Sequence, residues 1–317
     1  MNSWVDAIGQ ERAVQLLQQA VALKRIAPAY LFVGASGIGR SLVAKNFTQL
    51  LFCADLPKDK QISVRQKLQT GNHPNLLWVQ PTYLDCGELI SASQAAAIGL
   101  KRKALPQIRI EQIRQIHHFV SRPPLEASRL VVVIEDAQTM TEAAANALLK
   151  TLEEPGKTTL ILIALDADSL LSTLVSRCQR IPFYRLSQLN LQRVLKTKGY
   201  EEILEYPEIL ALAQGSPGEA IASFEQLQAI SPDLRQKLLQ PPNCSLDALQ
   251  LAKEIERQLD IQTQLWLVDY LQYYYWQKDR QQNMMKQWEK TRQCLLSYVQ
   301  PRLVWECTLL MLSTVNS

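Results

Sequence analysis

No long hydrophobic run in this chain escapes interruption by charge or proline, so nothing in it is apolar enough to span a bilayer as a helix. The opening residues, Met1-Asn-Ser-Trp-Val-Asp6, have neither the basic nor the apolar region of a secretory leader. Paired cysteines are missing too. Cys53, Cys86, Cys178, Cys244, Cys294 and Cys307 contain no C-x-x-C spacing, which argues against a zinc site and a disulfide framework and for a reducing cytoplasm. Charge is nearly balanced: 34 basic against 30 acidic residues leave a formal +4, too mild to argue nucleic-acid binding by itself. The adjacent His117 and His118 fall on different sides of a helix with no cysteine or third histidine nearby, so they are not read as metal ligands. What the chain does have is 47% hydrophobic residues over a length of 317, enough core for two or three domains.

Gly34-Ala-Ser-Gly-Ile-Gly-Arg-Ser41 has the spacing of a phosphate-binding loop, G-x-x-x-x-G-K-[S/T]. It follows the apolar strand expected over Ala29–Val33 and precedes a helix expected over Ser41–Phe52. Gly34, Gly37 and Gly39 allow backbone N–H groups to curl around phosphates, and the helix points its positive end at them. Ser41 stands where a Mg²⁺ ligand is needed. Arg40 stands in place of the lysine, with a planar fork whose reach and shape differ from those of an ammonium. Such a site also needs carboxylates at the end of a neighbouring strand. Glu135-Asp136 closes the β-branched run Leu130–Ile134, but in inverted order. The longer acid takes the metal position and the shorter one the water position, each misplaced by about one methylene.

Periodicity predicts an amphipathic helix over Ile8–Arg25 and a polar loop over 54–75, closing at Gly71-Asn-His-Pro-Asn75. A second strand follows over Leu76–Gln80. Tyr83–Ile108 reads as a solvated insert carrying the basic run Lys101-Arg-Lys103. Then come a helix over Ile110–Val120, a strand over Leu130–Ile134 buried on both faces, and a helix over Thr141–Glu154 stopped by Pro155-Gly156. A strand over Leu160–Leu165 and a short helix over Ser169–Ser176 complete a doubly wound α/β domain. Beyond Ile181-Pro-Phe183 no strand pattern recurs. Ser187–Lys198, Glu201–Gln214 and Pro217–Gln228 read as helices of a small domain, and Pro232 and Pro241-Pro242 as punctuation of a linker. Ser245–Val315 has the pattern of a helical bundle. Within it Tyr273-Tyr-Tyr-Trp276 suits either base stacking or, more commonly, helix packing.

Asn146-Ala-Leu-Leu-Lys-Thr-Leu-Glu-Glu-Pro155, followed by Ser176-Arg-Cys178, resembles the clamp-loader branch of the AAA+ ATPases. Ile8-Gly-Gln10, Ala29-Tyr-Leu-Phe32 and Gly71-Asn-His-Pro74 fit the same branch, and the resemblance covers most of residues 1–220. It implies an α/β AAA+ domain (P-loop, parallel sheet) over 1–182, a small helical lid over 183–230 and an all-α collar over 231–317 that packs into a five-membered ring. Within the branch, Gly215-Ser-Pro-Gly218 is similar to one subunit type of the bacterial DNA polymerase III loader.

The resemblance also carries expectations about chemistry. ATP-hydrolysing relatives have an arginine at the Gly218 position and a polar residue near Ala164-Leu165. Arg40, Glu135-Asp136, Ala164-Leu165 and Gly218 therefore depart together, which implies a subunit with no required cofactor and no independent ATPase activity, leaving room for weak ATP/Mg²⁺ binding. Arg177, between Ser176 and Cys178, is implied to be an arginine finger offered in trans to a neighbouring ATPase. The partners implied are tau/gamma-type ATPase subunits and a delta-type subunit, and through the complex a sliding clamp and primed DNA. Relatives often carry a four-cysteine zinc module after the loop helix; from Cys53 to Gly71 only Cys53 remains, so no zinc is expected there. The alternative reading is a self-sufficient DNA-dependent AAA+ ATPase in which Arg40 replaces the lysine.

Overall fold

The computed structural model describes residues 4, 7–54, 56–85, 87–91, 94, 95, 105–240, 242, 244–279, 282–297 and 299–315. The chain divides into two compact units, Met1–Asn190 and Leu191–Ser317. In chain order the first unit contains α1 (Glu11–Ala22), β1 (Ala29–Val33), α2 (Arg40–Cys53), α3 (Lys58–Gln69), β2 (Leu76–Val79), β3 (Thr82–Asp85) and β4 (Glu88–Ser91). It continues with α4 (Ile110–Val120), β5 (Leu130–Ile134), α5 (Glu142–Glu153), β6 (Thr158–Ala164), α6 (Ser172–Val175) and β7 (Gln179–Pro182).

Five strands form one sheet in the order β2-β5-β6-β1-β7, and every pairing is parallel. The central strands explain why. β5 (Leu-Val-Val-Val-Ile) and β6 (Thr-Thr-Leu-Ile-Leu-Ile-Ala) are buried at every position, which only a sheet covered on both faces permits. Ile113 and Ile116 of α4 and Ala144 and Leu148 of α5 pack with Leu31, Val132, Ile134, Leu160 and Leu162 in one core. The Thr141 hydroxyl accepts the Ala144 N–H at 3.3 Å, capping α5, and Glu142 suits the positive end of that helix.

Outside the expected insert, two elements of this unit differ from expectation. Residues 58–69, read as loop, form α3. Its sequence is polar nearly all round and Val64 is buried, so hydrophobic periodicity cannot reveal it. The helix is tied down through Gln61, whose amide donates to the carbonyls of Cys53 (3.2 Å) and Leu56 (2.9 Å). The second is β7, Gln179-Arg-Ile-Pro182, with Ile181 buried and Gln179 and Arg180 exposed. It is an edge strand paired to β1, where the missing N–H of Pro182 is tolerated. The expected insert begins with an antiparallel hairpin, β3–β4. Cys86 and the run Lys101–Lys103 lie outside the described residues.

The unit boundary falls within α7 (Gln188–Thr197). The second unit then contains α8 (Pro207–Ala213), α9 (Pro217–Ala229), α10 (Pro232–Leu238), α11 (Ser245–Gln258), α12 (Ile261–Asp279), α13 (Gln282–Leu296) and α14 (Pro301–Val315). The single helix expected over Glu201–Gln214 is a 3-10 turn (Glu201–Glu205) followed by α8, because Pro207 can only begin a helix there. Likewise Pro232 opens α10 behind a Ser231 cap and does not lie in a linker. Trp288 and Trp305 are fully buried and meet edge to face at 6.3 Å, while Tyr275 stacks on Trp288 at 5.8 Å. Tyr275 also donates its hydroxyl to the Leu238 carbonyl at 3.1 Å, so within Tyr273–Trp276 this ring is a packing residue. Among the described residues no helix is long and apolar enough to cross a membrane.

Trp288 fills the centre of the aromatic core, so Trp288→Ala is expected to destabilise the second unit by about 3–5 kcal/mol. Denaturant unfolding followed by far-UV circular dichroism checks this; a loss under about 1 kcal/mol would show that the core does not depend on that ring.

Candidate functional site

The loop after β1 has the backbone that its spacing requires. Gly37 and Gly39 have φ of 70° and 98°, and Gly39 forms the N-cap of α2. At Gly34 the need for glycine is close approach: a Cβ there would lie 2.7 Å from the Phe183 carbonyl and 2.8 Å from Ile38 Cδ1. Gln10 braces the same turn. Its amide nitrogen donates to the carbonyls of Ile38 (3.2 Å) and Tyr184 (2.7 Å), and its amide oxygen accepts the Tyr184 N–H at 3.2 Å.

The side chains in this cradle face inward. Arg40 is only 6% exposed, and its Nη1 donates to the Ala164 carbonyl at the end of β6, at 2.5 Å. Burial lowers its pKa, with the charges of Asp136 and Glu135 acting in the opposite sense. Ser41 Oγ donates to Glu135 Oε1, while Glu135 Oε2 accepts from Trp78 Nε1 (2.9 Å) and Gln80 Nε2 (2.7 Å). Burial works against ionisation of Glu135. The donors of Gln80, Ser41 and Trp78 and the charge of Lys45 outweigh it, holding the carboxyl below its ordinary value of 4.5. Asp136 has φ of 48° and its carboxylate accepts from Gln138 Nε2 at 3.3 Å. Lys45, one turn further along α2, lies over the Trp78 ring at 5.5 Å and lines an open cavity of about 510 Å³ beside Ser41 and Glu135.

This set matches a Mg²⁺–triphosphate poorly. The glycine backbone and the Ser41 oxygen suit one, but the cation that the loop supplies is spent on a protein carbonyl, and Glu135 already holds three donors. Among the described residues no group of three or more His, Cys, Asp or Glu is placed to hold a metal ion. His117 hydrogen-bonds the Ala147 carbonyl (3.1 Å) and the Thr151 hydroxyl (3.2 Å), joining α4 to α5, while His118 lies beside Arg122 on the exposed side.

Ser176, Arg177 and Cys178 form a separate cluster with different duties. Ser176 Oγ donates to the Thr173 carbonyl at 3.1 Å, closing the short α6. Arg177 is exposed; its Nη1 donates to the same carbonyl at 3.0 Å and its Nη2 to Glu153 Oε1 at 2.9 Å. Cys178 packs, partly buried, against the core, and burial pushes its thiol up to about 11, so it carries no thiolate near neutral pH. Sequence reasoning missed Glu153, although it lies within the Leu152-Glu-Glu-Pro155 stretch already singled out. Ala164 takes part through its carbonyl, not its side chain, and Gly218 is the second residue of α9.

Residues 9–187 match the family described as "DNA polymerase III, delta subunit", and residues 189–312 match "Cyanobacterial DNA polymerase III delta prime, C-terminal domain". This chain belongs to the DNA polymerase III delta-subunit family. Similar curated members include the delta-prime subunits of Bacillus subtilis and Pseudomonas aeruginosa. The first is 33% identical over 180 residues, 56% of this chain and 48% of the relative. The second is 33% identical over 199 residues, 60% of this chain and 54% of the relative. The tau subunit of Bacillus subtilis is 28% identical over 239 residues, 72% of this chain and 38% of that protein. The chain thus spans about half the length, or less, of the curated relatives it matches. A gamma-subunit-related protein of Thermotoga maritima shares the fold, with a TM-score of 0.55 at 17% identity over 96% of this chain and 100% of the other. This member of the delta family is therefore a delta-prime-like chain with a parallel α/β unit and a helical C-terminal unit.

The Glu135 network in this delta-family chain should be visible in acid. A carboxyl held below 4.5 in the folded chain stabilises the fold above that pH, and the contribution is lost as pH falls through the lower folded-state value. Between about pH 5 and pH 3 the wild type should lose more stability than Glu135→Gln, measured by urea unfolding at each pH. Parallel losses would show that the network does not hold the charged form.

Proposed function

We propose that this chain is a delta-prime-like subunit of a bacterial DNA polymerase III clamp loader that does not hydrolyse ATP and donates an arginine to a neighbouring ATPase subunit. The observation that carries the reading is the contrast between two arginines. Arg40 sits in the phosphate loop but is buried on the Ala164 carbonyl, whereas Arg177 is exposed on the surface of the first unit. Phosphoryl transfer spreads negative charge over the equatorial oxygens of the moving group, and a guanidinium supplied by a second subunit stabilises it. Ser176 and Cys178 would hold the backbone on either side of Arg177, one by closing α6 and the other by packing against the core.

The remaining parts of the reading are supported by likeness to the family. Residues 1–182 act as the AAA+ domain, 183–230 as the lid and 231–317 as the collar, packed with tau/gamma-type ATPase subunits and a delta-type subunit in a five-membered ring. The complex places a sliding clamp on primed DNA in the cytoplasm. Gly34, Gly37, Gly39, Arg40, Ser41, Glu135 and Asp136 form a degenerate nucleotide site with at most weak ATP/Mg²⁺ binding, and the Cys53–Gly71 segment works without zinc.

The test is ATP turnover by a reconstituted loader. Arg177→Ala is expected to lower it by at least about tenfold, given the far larger effects that such arginines have elsewhere, while the chain alone shows none. Unchanged turnover in the Arg177→Ala complex would overturn the arginine-donor role. Turnover by the isolated chain that disappears in Ser41→Ala would overturn the non-hydrolysing one.

A further inference from the structure

We propose that Glu153 is a positioning residue for Arg177, fixing the plane of its guanidinium before a neighbouring subunit's nucleotide arrives; the inference rests on the arginine-donor reading above. A free arginine on a surface samples many rotamers, and reaching a phosphate in one geometry requires giving them up. Here two acceptors grip two different nitrogens: the Thr173 carbonyl takes Nη1 at 3.0 Å and Glu153 Oε1 takes Nη2 at 2.9 Å. Together they define the plane of the fork, which one acceptor cannot do.

Both acceptors stand on anchored ground. Thr173 directly precedes Leu174, which is fully buried in α6, and Glu153 directly follows Leu152, which is buried in α5. A guanidinium has five N–H donors, so three remain without an acceptor among the described residues and are free to meet phosphate oxygens. The pair is exposed on both sides, at 39% for Arg177 and 54% for Glu153, so the contact holds the arginine weakly and does not imprison it.

Four forms of the chain, each assembled into the complete loader, decide the matter: Glu153→Ala, Glu153→Asp, Arg177→Ala and the double variant Glu153→Ala/Arg177→Ala. Glu153→Ala is expected to lower kcat by about threefold to fivefold, the range that a surface ion pair can supply. KM for ATP should stay within about twofold, because the contact matters most when charge develops. Glu153→Asp should recover part of the loss, and Glu153→Ala should add nothing in the Arg177→Ala background. Equal thermal unfolding of the variants excludes a folding defect as the cause. A rise in turnover with Glu153→Ala would overturn the proposal by showing that the contact sequesters the arginine. Unchanged turnover with Glu153→Ala, beside a slow Arg177→Ala complex, would overturn it while leaving the donor reading intact. If Arg177→Ala itself has no effect, the donor reading falls and takes this inference with it.

Discussion

Parallel strands finish at a common edge of their sheet, and this constraint gathers every residue of the loop site. Val33 pairs with Ala164, and Ile134 lies beside Leu162, so the turn after β1, the acids after β5 and the end of β6 arrive together. From that register follow the bond from Gly34 N–H to the Ala164 carbonyl, the bond from Arg40 to the same oxygen and the pairing of Ser41 with Glu135. None of these contacts is local in sequence. They exist because the strands of β5 and β6 are apolar throughout and must be sandwiched.

The same edge shows how the polar side chains around a phosphate-loop framework are partnered. A buried guanidinium without an acceptor would be costly, and Ala164 supplies one at the strand end. Glu135 is likewise surrounded by donors from α2, β2 and the residue just past β2, so its charge is balanced within the unit. The chain keeps the glycine geometry that close backbone approach demands at Gly34, while its polar side chains satisfy one another. The guanidinium of Arg177 lies elsewhere and exposed, just past the short α6, where Ser176 is held by a hydrogen bond and Cys178 packs partly buried against the core.

What sequence shows depends on whether a segment writes its role in apolar periodicity. β5 and β6 are legible because short runs of Val, Ile and Leu bounded by turn signals suit strands covered on both faces, and the glycine spacing of 34–41 is legible because the backbone imposes it. α3 was hidden by its polarity and by a tether, Gln61 to Cys53 and Leu56, that leaves no periodic mark. β7 was hidden because an edge strand needs only one apolar residue, Ile181. The fate of Arg40 and the partner of Arg177 lie 124 and 24 residues away in sequence, and only the packed sheet brings them together.

The position of β1 between β6 and β7 has a kinetic meaning. Ala29 pairs with Leu160 and Tyr30 with both Ile161 and Gln179, so the strand that leads into the glycine loop has no sheet partner nearby in the chain. During synthesis from the N-terminus it must wait, apolar and unpaired, until nearly the whole first unit has emerged. Closing so long a loop is slow, and an unpaired strand invites association with other chains in the interval. Completion of the unit is thus set by its last strand, short and half polar, whose arrival also brings Phe183 against Gly34 and Tyr184 to Gln10.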